Sequence, residues 1–354
     1  ICTIAAQRGM ILSPNDHVNL GQSTNDVFPT AMHLATAEGL KFLLDPALSR
    51  LAESIRRKAQ EYNEVVKTGR THLMDALPVY LHDEMEAWAV QVDECRERLA
   101  AVLPRLLRLP LGGTAVGSGV NCHPDFAAGA VARLAELTTL PCTAAPSLFK
   151  GLSSLDTAVE ASGHLKTVAV VLMKIANDLR WMNSGPLAGI GEITLPALQP
   201  GSSIMPAKVN PVIPEAVCMA AAQVIGHDAV ITLAGQSGNF QLNTMLPLAA
   251  TVLLEAVDLL AGSARSLADK AIDGLRVNIA ACDRALSRNP ILVTALTPEI
   301  GYLKAAELAK LAMQQDKPIL DVALAETDLP PALLRRLLDP RNLAGGGGSE
   351  GTSG

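Results

Sequence analysis

Apolar residues recur at helical spacing along most of the chain. Leu48, Leu51, Ile55 and Ala59 fall three or four positions apart, the rhythm of one packed helix face. The same period predicts helices over about 28–44, 46–66, 79–103, 124–137, 155–182, 211–236 and 246–270. Asn25 or Asp26 would cap the first, with Pro29 in its first turn. Several of these helices exceed about twenty residues, well past the usual mean. Long helices in one chain imply an antiparallel bundle, so the predicted fold class is all-α. Past Asp273 the pattern breaks into shorter helices up to Leu338, which reads as a small helical C-terminal domain. The expected organisation is a remnant of an N-terminal domain over 1–22 and a central bundle over 23–273. A C-terminal domain over 274–340 and a flexible Gly-rich tail over 341–354 complete it. The opening "ICTIAAQRG" reads as the tail of a helix already under way, the expectation being a chain that continues upstream.

Composition sharpens this. Of the 354 residues, 49% are hydrophobic but only 3% aromatic, so the apolar content is largely Ala, Leu, Val and Ile. A net charge of −6 argues against a nucleic-acid partner, though a local basic pocket can still hold a small anion. The six cysteines are scattered without a CxxC pair. They point to free thiols in a reducing, cytoplasmic setting, with no metal site and no cofactor. No apolar run is expected to span a membrane. The stretch 165–182 carries Lys166, Lys174, Asp178 and Arg180 and reads as a buried bundle helix.

Four polar interruptions carry the candidate chemistry. "GSSIMPAKVNPVIPE" (Gly201 to Glu215) places Ser202, Ser203, Lys208 and Asn210 just before a proline-marked helix start. Such a terminus offers unpaired N–H groups and a positive dipole end, a seat for a carboxylate. Read alone, the bland account is a capped helix start with a solvated lysine. "GRTHLMD" (Gly69 to Asp75) reads as a polar turn between helices. Its His72, flanked by Arg70 and Thr71, is a candidate general acid or base, with Glu215 a candidate to orient it. "GQSTND" offers Ser23, Thr24 and Asn25 as donors, or simply as an N-cap cluster. "LPLGGTAVGSGVN" holds four glycines and reads as a connector with close backbone turns.

Together these strings resemble the aspartase/fumarase superfamily. "GSSIMPAKVNP" looks like its signature loop. "SPNDHVNLGQSTNDVFPTAMHLA", "GRTHLMDALPV", "LGGTAVGSGVN", "MKIANDLRWMNSGPLAGIGEITLP" and "LVTALTPEIGYLKAAELA" follow in the family's order. The resemblance covers about residues 1–339 and is nearest the metal-independent, class II fumarases. It implies a homotetramer with active sites shared between subunits, acting on a small dicarboxylate (fumarate or L-malate). Ser202 would remove the C3 proton, stabilised as an oxyanion by loop N–H groups. Lys208, Asn210 and Thr71 would stabilise the aci-carboxylate intermediate. His72 with Glu215 would assist on the opposite side. Ser23, Thr24, Asn25 and Ser203 would hold the carboxylates, and Asn15 and Asp16 would form a secondary dicarboxylate site.

The sequence also departs from the pattern. The family's early N-terminal segment, which supplies another substrate-binding loop, is not in this stretch. Ser13 stands where many class II fumarases have histidine, His227 replaces a usual asparagine, and Ala207 stands where fumarases mostly have glycine. Ala207 resembles the aspartase loop, so an aspartate ammonia-lyase is the alternative. A non-catalytic structural homologue of the crystallin kind is the third reading.

Overall fold

The computed structural model describes residues 1–345. Its long helices are α1 (Thr24–Glu38), α2 (Asp45–Glu61), α3 (Leu81–Leu106), α4 (Phe126–Thr138), α5 (Asp156–Met182), α6 (Val212–Gln236) and α7 (Leu246–Leu267). Shorter helices follow: α8 (Ile279–Arg288), α9 (Tyr302–Gln315), α10 (Ile319–Glu326) and α11 (Pro331–Leu337). The all-α class read from periodicity holds, with a few short strand pairs added. The expected Gly-rich tail lies outside the described residues from 346 onward, and Pro340–Ala344 is a helical turn.

Two compact units divide the chain. The first comprises Ile1–Leu51, Gln91–Ala176 and Ile213–Leu267. In it α7 buries Ala249, Val252, Leu253, Ala256, Val257, Leu260, Ala261 and Ala264, an apolar stripe at intervals of one, three and four. Helix α6 buries a narrower stripe, Val217, Ala221, Val224, His227, Asp228 and Ile231. Its other side stays apolar yet exposed, with Met219 at 68% and Leu233 at 60%. By length and mean composition α6 and α7 both match a membrane span, yet neither is an uninterrupted apolar run, since α6 carries Glu215 and Asp228 and α7 carries Glu255, Asp258 and Arg265. Half of the α7 window is buried within the fold, as in the core helix of a bundle.

The second unit comprises Ala52–Val90, Asn177–Val212 and the chain from Ala268 onward. Its C-terminal helices close over Leu292, Val293, Leu296, Leu308, Ile319, Val322 and Leu334. Here the sequence reading needs its main correction. The predicted turn between helices is a β-hairpin, β1 (Val66–Thr71) and β2 (Met74–Tyr80), paired antiparallel from Val66↔Tyr80 to Thr71↔Met74. A register shift falls between Thr68 and Arg70, at Gly69, where a Cβ would sit 2.6 Å from the Leu77 carbonyl oxygen. Only glycine fits there.

Candidate active site

The 201–210 loop folds back on itself. Gly201 takes φ 92°, and a Cβ there would lie 2.9 Å from the Lys208 carbonyl oxygen. That close approach lets the Ser202 N–H donate to the same carbonyl at 3.0 Å. With the loop so closed, the N–H groups of Ile204 (3.3 Å) and Met205 (3.1 Å) both donate to Ser202 Oγ. An oxygen held by two fixed N–H dipoles is one whose negative charge would be stabilised without reorganisation. Ser203 is exposed beside it. Lys208 Nζ donates to Asn210 Oδ1 at 2.6 Å, which fixes the ammonium just before the first turn of α6. Lys208 and Asn210 line a cavity of about 530 Å³, shared with Asn183, Thr194 and Asn278.

His72 and Leu73 are the two central residues joining β1 to β2, at φ 56° and 60°. This is the backbone of a type I′ turn, which favours Asn-Gly and is costly for side chains with a Cβ. The imidazole therefore sits exposed at a tip, beside exposed Thr71. A costly conformation held at a tip that carries an acid–base residue is where function would keep strain.

Ser23, not Asn25 or Asp26, is the N-cap of α1, which places Pro29 deeper in the helix than expected. Asp26 does more than cap. It is fully buried and accepts the Ser23 N–H on Oδ1 (2.9 Å), and on Oδ2 the N–H groups of Gly112 (2.9 Å) and Thr114 (3.0 Å). Asn25 adds Nδ2–H to the Ala115 carbonyl at 2.8 Å. One carboxylate thus ties the Ser23–Asn25 segment to the Gly-rich connector, within the first unit. Thr24 is exposed at the first helical position. The sequence carried half of this signal, since Ser-x-x-Asp is a capping-box spacing.

Asn15 and Asp16 lie in the helical turn Pro14–Val18, capped by Ser13. Ser13 Oγ donates to Asp16 Oδ2 at 2.7 Å and accepts the Asp16 N–H at 3.2 Å. The residue standing in the histidine position thus engages the acid beside it. Glu215 is half-buried in the first turn of α6, where the dipole favours its charge. The predicted residues divide between the units: Asn15, Asp16, Ser23, Thr24, Asn25 and Glu215 in the first, Thr71, His72, Ser202, Ser203, Lys208 and Asn210 in the second. His227 lies on the buried stripe of α6 with Nε2 2.9 Å from Gln223 Nε2, and its Nδ1 has no partner among the described residues.

The comparisons with known proteins bear on this geometry directly. Residues 3–226 match the family model described as lyase, and the chain belongs to that family. Residues 292–345 match the fumarase C C-terminus model, so within the family it falls with the class II fumarate hydratases. It is 57% identical over 348 residues to fumarate hydratase class II 2 of Pseudomonas aeruginosa, covering 98% of this chain and 76% of that protein. It is 56% identical over 349 residues to fumarate hydratase class II of Xylella fastidiosa, covering 98% and 74%. The crystal structure of a class II fumarase from Schistosoma mansoni superposes with a TM-score of 0.91 at 34% identity, covering 96% of this chain and 75% of that one. A fumarate lyase/delta crystallin from Brucella melitensis gives 0.91 at 39%, covering 97% and 75%.

Proposed function

We propose that this chain interconverts fumarate and water with L-malate. The observation that carries the reading is the Ser202 oxygen cradled by two N–H groups, in the loop that also presents Lys208 and Asn210 to one cavity. In the dehydration direction Ser202, as the alkoxide that its two N–H groups stabilise, takes the proton from C3 of malate. The electron pair passes into the adjacent carboxylate as an aci-carboxylate, whose added charge Lys208, Asn210 and Thr71 stabilise. His72, paired with Glu215, gives a proton to the departing C2 hydroxyl, and water leaves. Ser23, Thr24, Asn25 and Ser203 hold the two carboxylates, with Asn15 and Asp16 as an outer dicarboxylate site. The site is read as completed by several copies in a homotetramer. The uncovered apolar side of α6 supports the same assembly, because large exposed apolar surface marks an interface. Six unbridged cysteines suit a cytoplasmic setting.

The test is fumarate formation followed by its ultraviolet absorbance, with L-malate and L-aspartate supplied separately. Signal from malate alone is the expected result. Signal from aspartate alone would overturn the hydratase reading in favour of ammonia loss.

A further inference from the structure

Asn289 is a buried amide that the reaction above does not use. It is 1% exposed and stands between α8 and the helical turn Pro290–Leu296. Its Oδ1 accepts the Ile291 N–H at 2.9 Å, which caps that turn, and its Nδ2–H donates to the Ala76 carbonyl of β2 at 2.8 Å. A cap alone would be served as well by Asp, which has no N–H to give. The bond to β2 is the one that calls for an amide. The capped turn is itself anchored, because Leu292, Val293 and Leu296 are buried in the core of the C-terminal helices.

Ala76 is where the hairpin ladder breaks. Thr68 pairs with Pro78 and Arg70 with Asp75, so Ala76 and Leu77 together face the single residue Gly69. Two residues against one make a β-bulge, which bends its strand and adds twist. Pro78 stands at its edge, a place where a residue without an N–H is tolerated. Beyond the bulge only Arg70 and Thr71 pair with Asp75 and Met74 before the turn at His72 and Leu73. The bend at the bulge therefore sets the direction of the short tip that carries Thr71 and His72. Asn289 ties the backbone of that bulge to a packed core, which selects one direction among those a free hairpin could take.

We propose that Asn289 is a positioning residue, holding the bulge that sets the direction in which the hairpin presents Thr71 and His72. The proposal rests on the hydratase reading, in which His72 gives the proton, and its test separates the two. It holds whichever copy's loops the tip meets, since Asn289, the bulge and the C-terminal core belong to one unit of one chain. Malate dehydration is measured for the parent chain, Asn289→Ser, His72→Asn and the double variant, with circular dichroism to check folding and sedimentation to check assembly. Serine keeps a cap for Ile291 but is too short to reach Ala76 as well. Asn289→Ser should lower kcat by about 100-fold, the scale of an ångström-sized misplacement, with KM changed little. In the His72→Asn background the same substitution should cost less than about tenfold, because only Thr71 is then left to misplace. Equal losses in both backgrounds, or an unchanged kcat, would overturn the positioning role while leaving the hydratase reading intact. A parent chain inactive on malate would overturn both. If Asn289→Ser does not fold, Gly69→Ala replaces it, since its added Cβ meets the Leu77 carbonyl oxygen and disturbs the same bulge from β1. It should show the same dependence on His72, and independence from His72 would count against the proposal.

Discussion

Ala207 takes φ 68°, in the left-handed region that a Cβ resists by roughly 1–2 kcal/mol. The position is where the resemblance leads one to expect glycine, so the strain is a property of this chain, held next to Lys208. Ala207→Gly should raise stability to urea by about 1 kcal/mol, and a lowered midpoint would show that the loop is not strained there. His33 is a second residue whose surroundings set its behaviour. Burial, then the charge of Lys150, lowers its pKa from 6.5 to about 4. Its folded value is depressed, so the neutral ring contributes stability that is present above pH 6.5 and is lost as pH falls toward 4. Between pH 7 and 5 the parent should lose about 2 kcal/mol more than a His33→Gln variant. Equal losses in urea titrations at the two pH values would remove His33 as the cause. Both effects are invisible in sequence, since neither a dihedral nor a burial is written in residue type.

Elements were legible where one period governed both ends. The span expected over 155–182 is α5 at Asp156–Met182, and 211–236 is α6 at Val212–Gln236. The hairpin was not legible. Val65 and Val66 continue the apolar spacing of α2, which ends at Glu61, so the helix was read too long. The turn carries His-Leu in place of Asn-Gly, leaving no hairpin signal. The clamp by Asp26 was half legible, as a cap, because its other partners lie 86 and 88 residues away. Asp26→Asn keeps one acceptor oxygen, enough for Ser23 or for the connector but not for both. The loss should be about 1–3 kcal/mol, the range for buried donors left unpaired, with a raised KM from the loosened Ser23–Asn25 segment. An unchanged urea midpoint together with an unchanged KM would show the clamp to be dispensable. The candidate site residues themselves were readable because the loops that carry them are polar strings between apolar helices. Their supporting acid, Asp26, acts across long separations and needed the structure.

At the scale of the molecule, the apolar yet exposed side of α6 decides how the chain is expected to occur. Met219 and Leu233 are accessible in the single copy, on a helix whose opposite stripe is already buried. A charge placed there should break assembly without unfolding the chain. Leu233→Glu should sediment as a smaller species than the parent and lose activity with it, if sites are completed by neighbouring copies. Parent-like mass and activity would show that this face is not an interface. The central claim, that Ser202 is the base of a fumarate–malate interconversion, has a more direct test. Fumarate release from L-malate by Ser202→Ala is compared with that by the parent, with the mass of both confirmed by sedimentation. The account expects turnover to fall by at least about 100-fold, the lower range for a removed proton-transfer group, with assembly unchanged. A loss of less than about tenfold in an equally assembled variant would show that another group takes the proton.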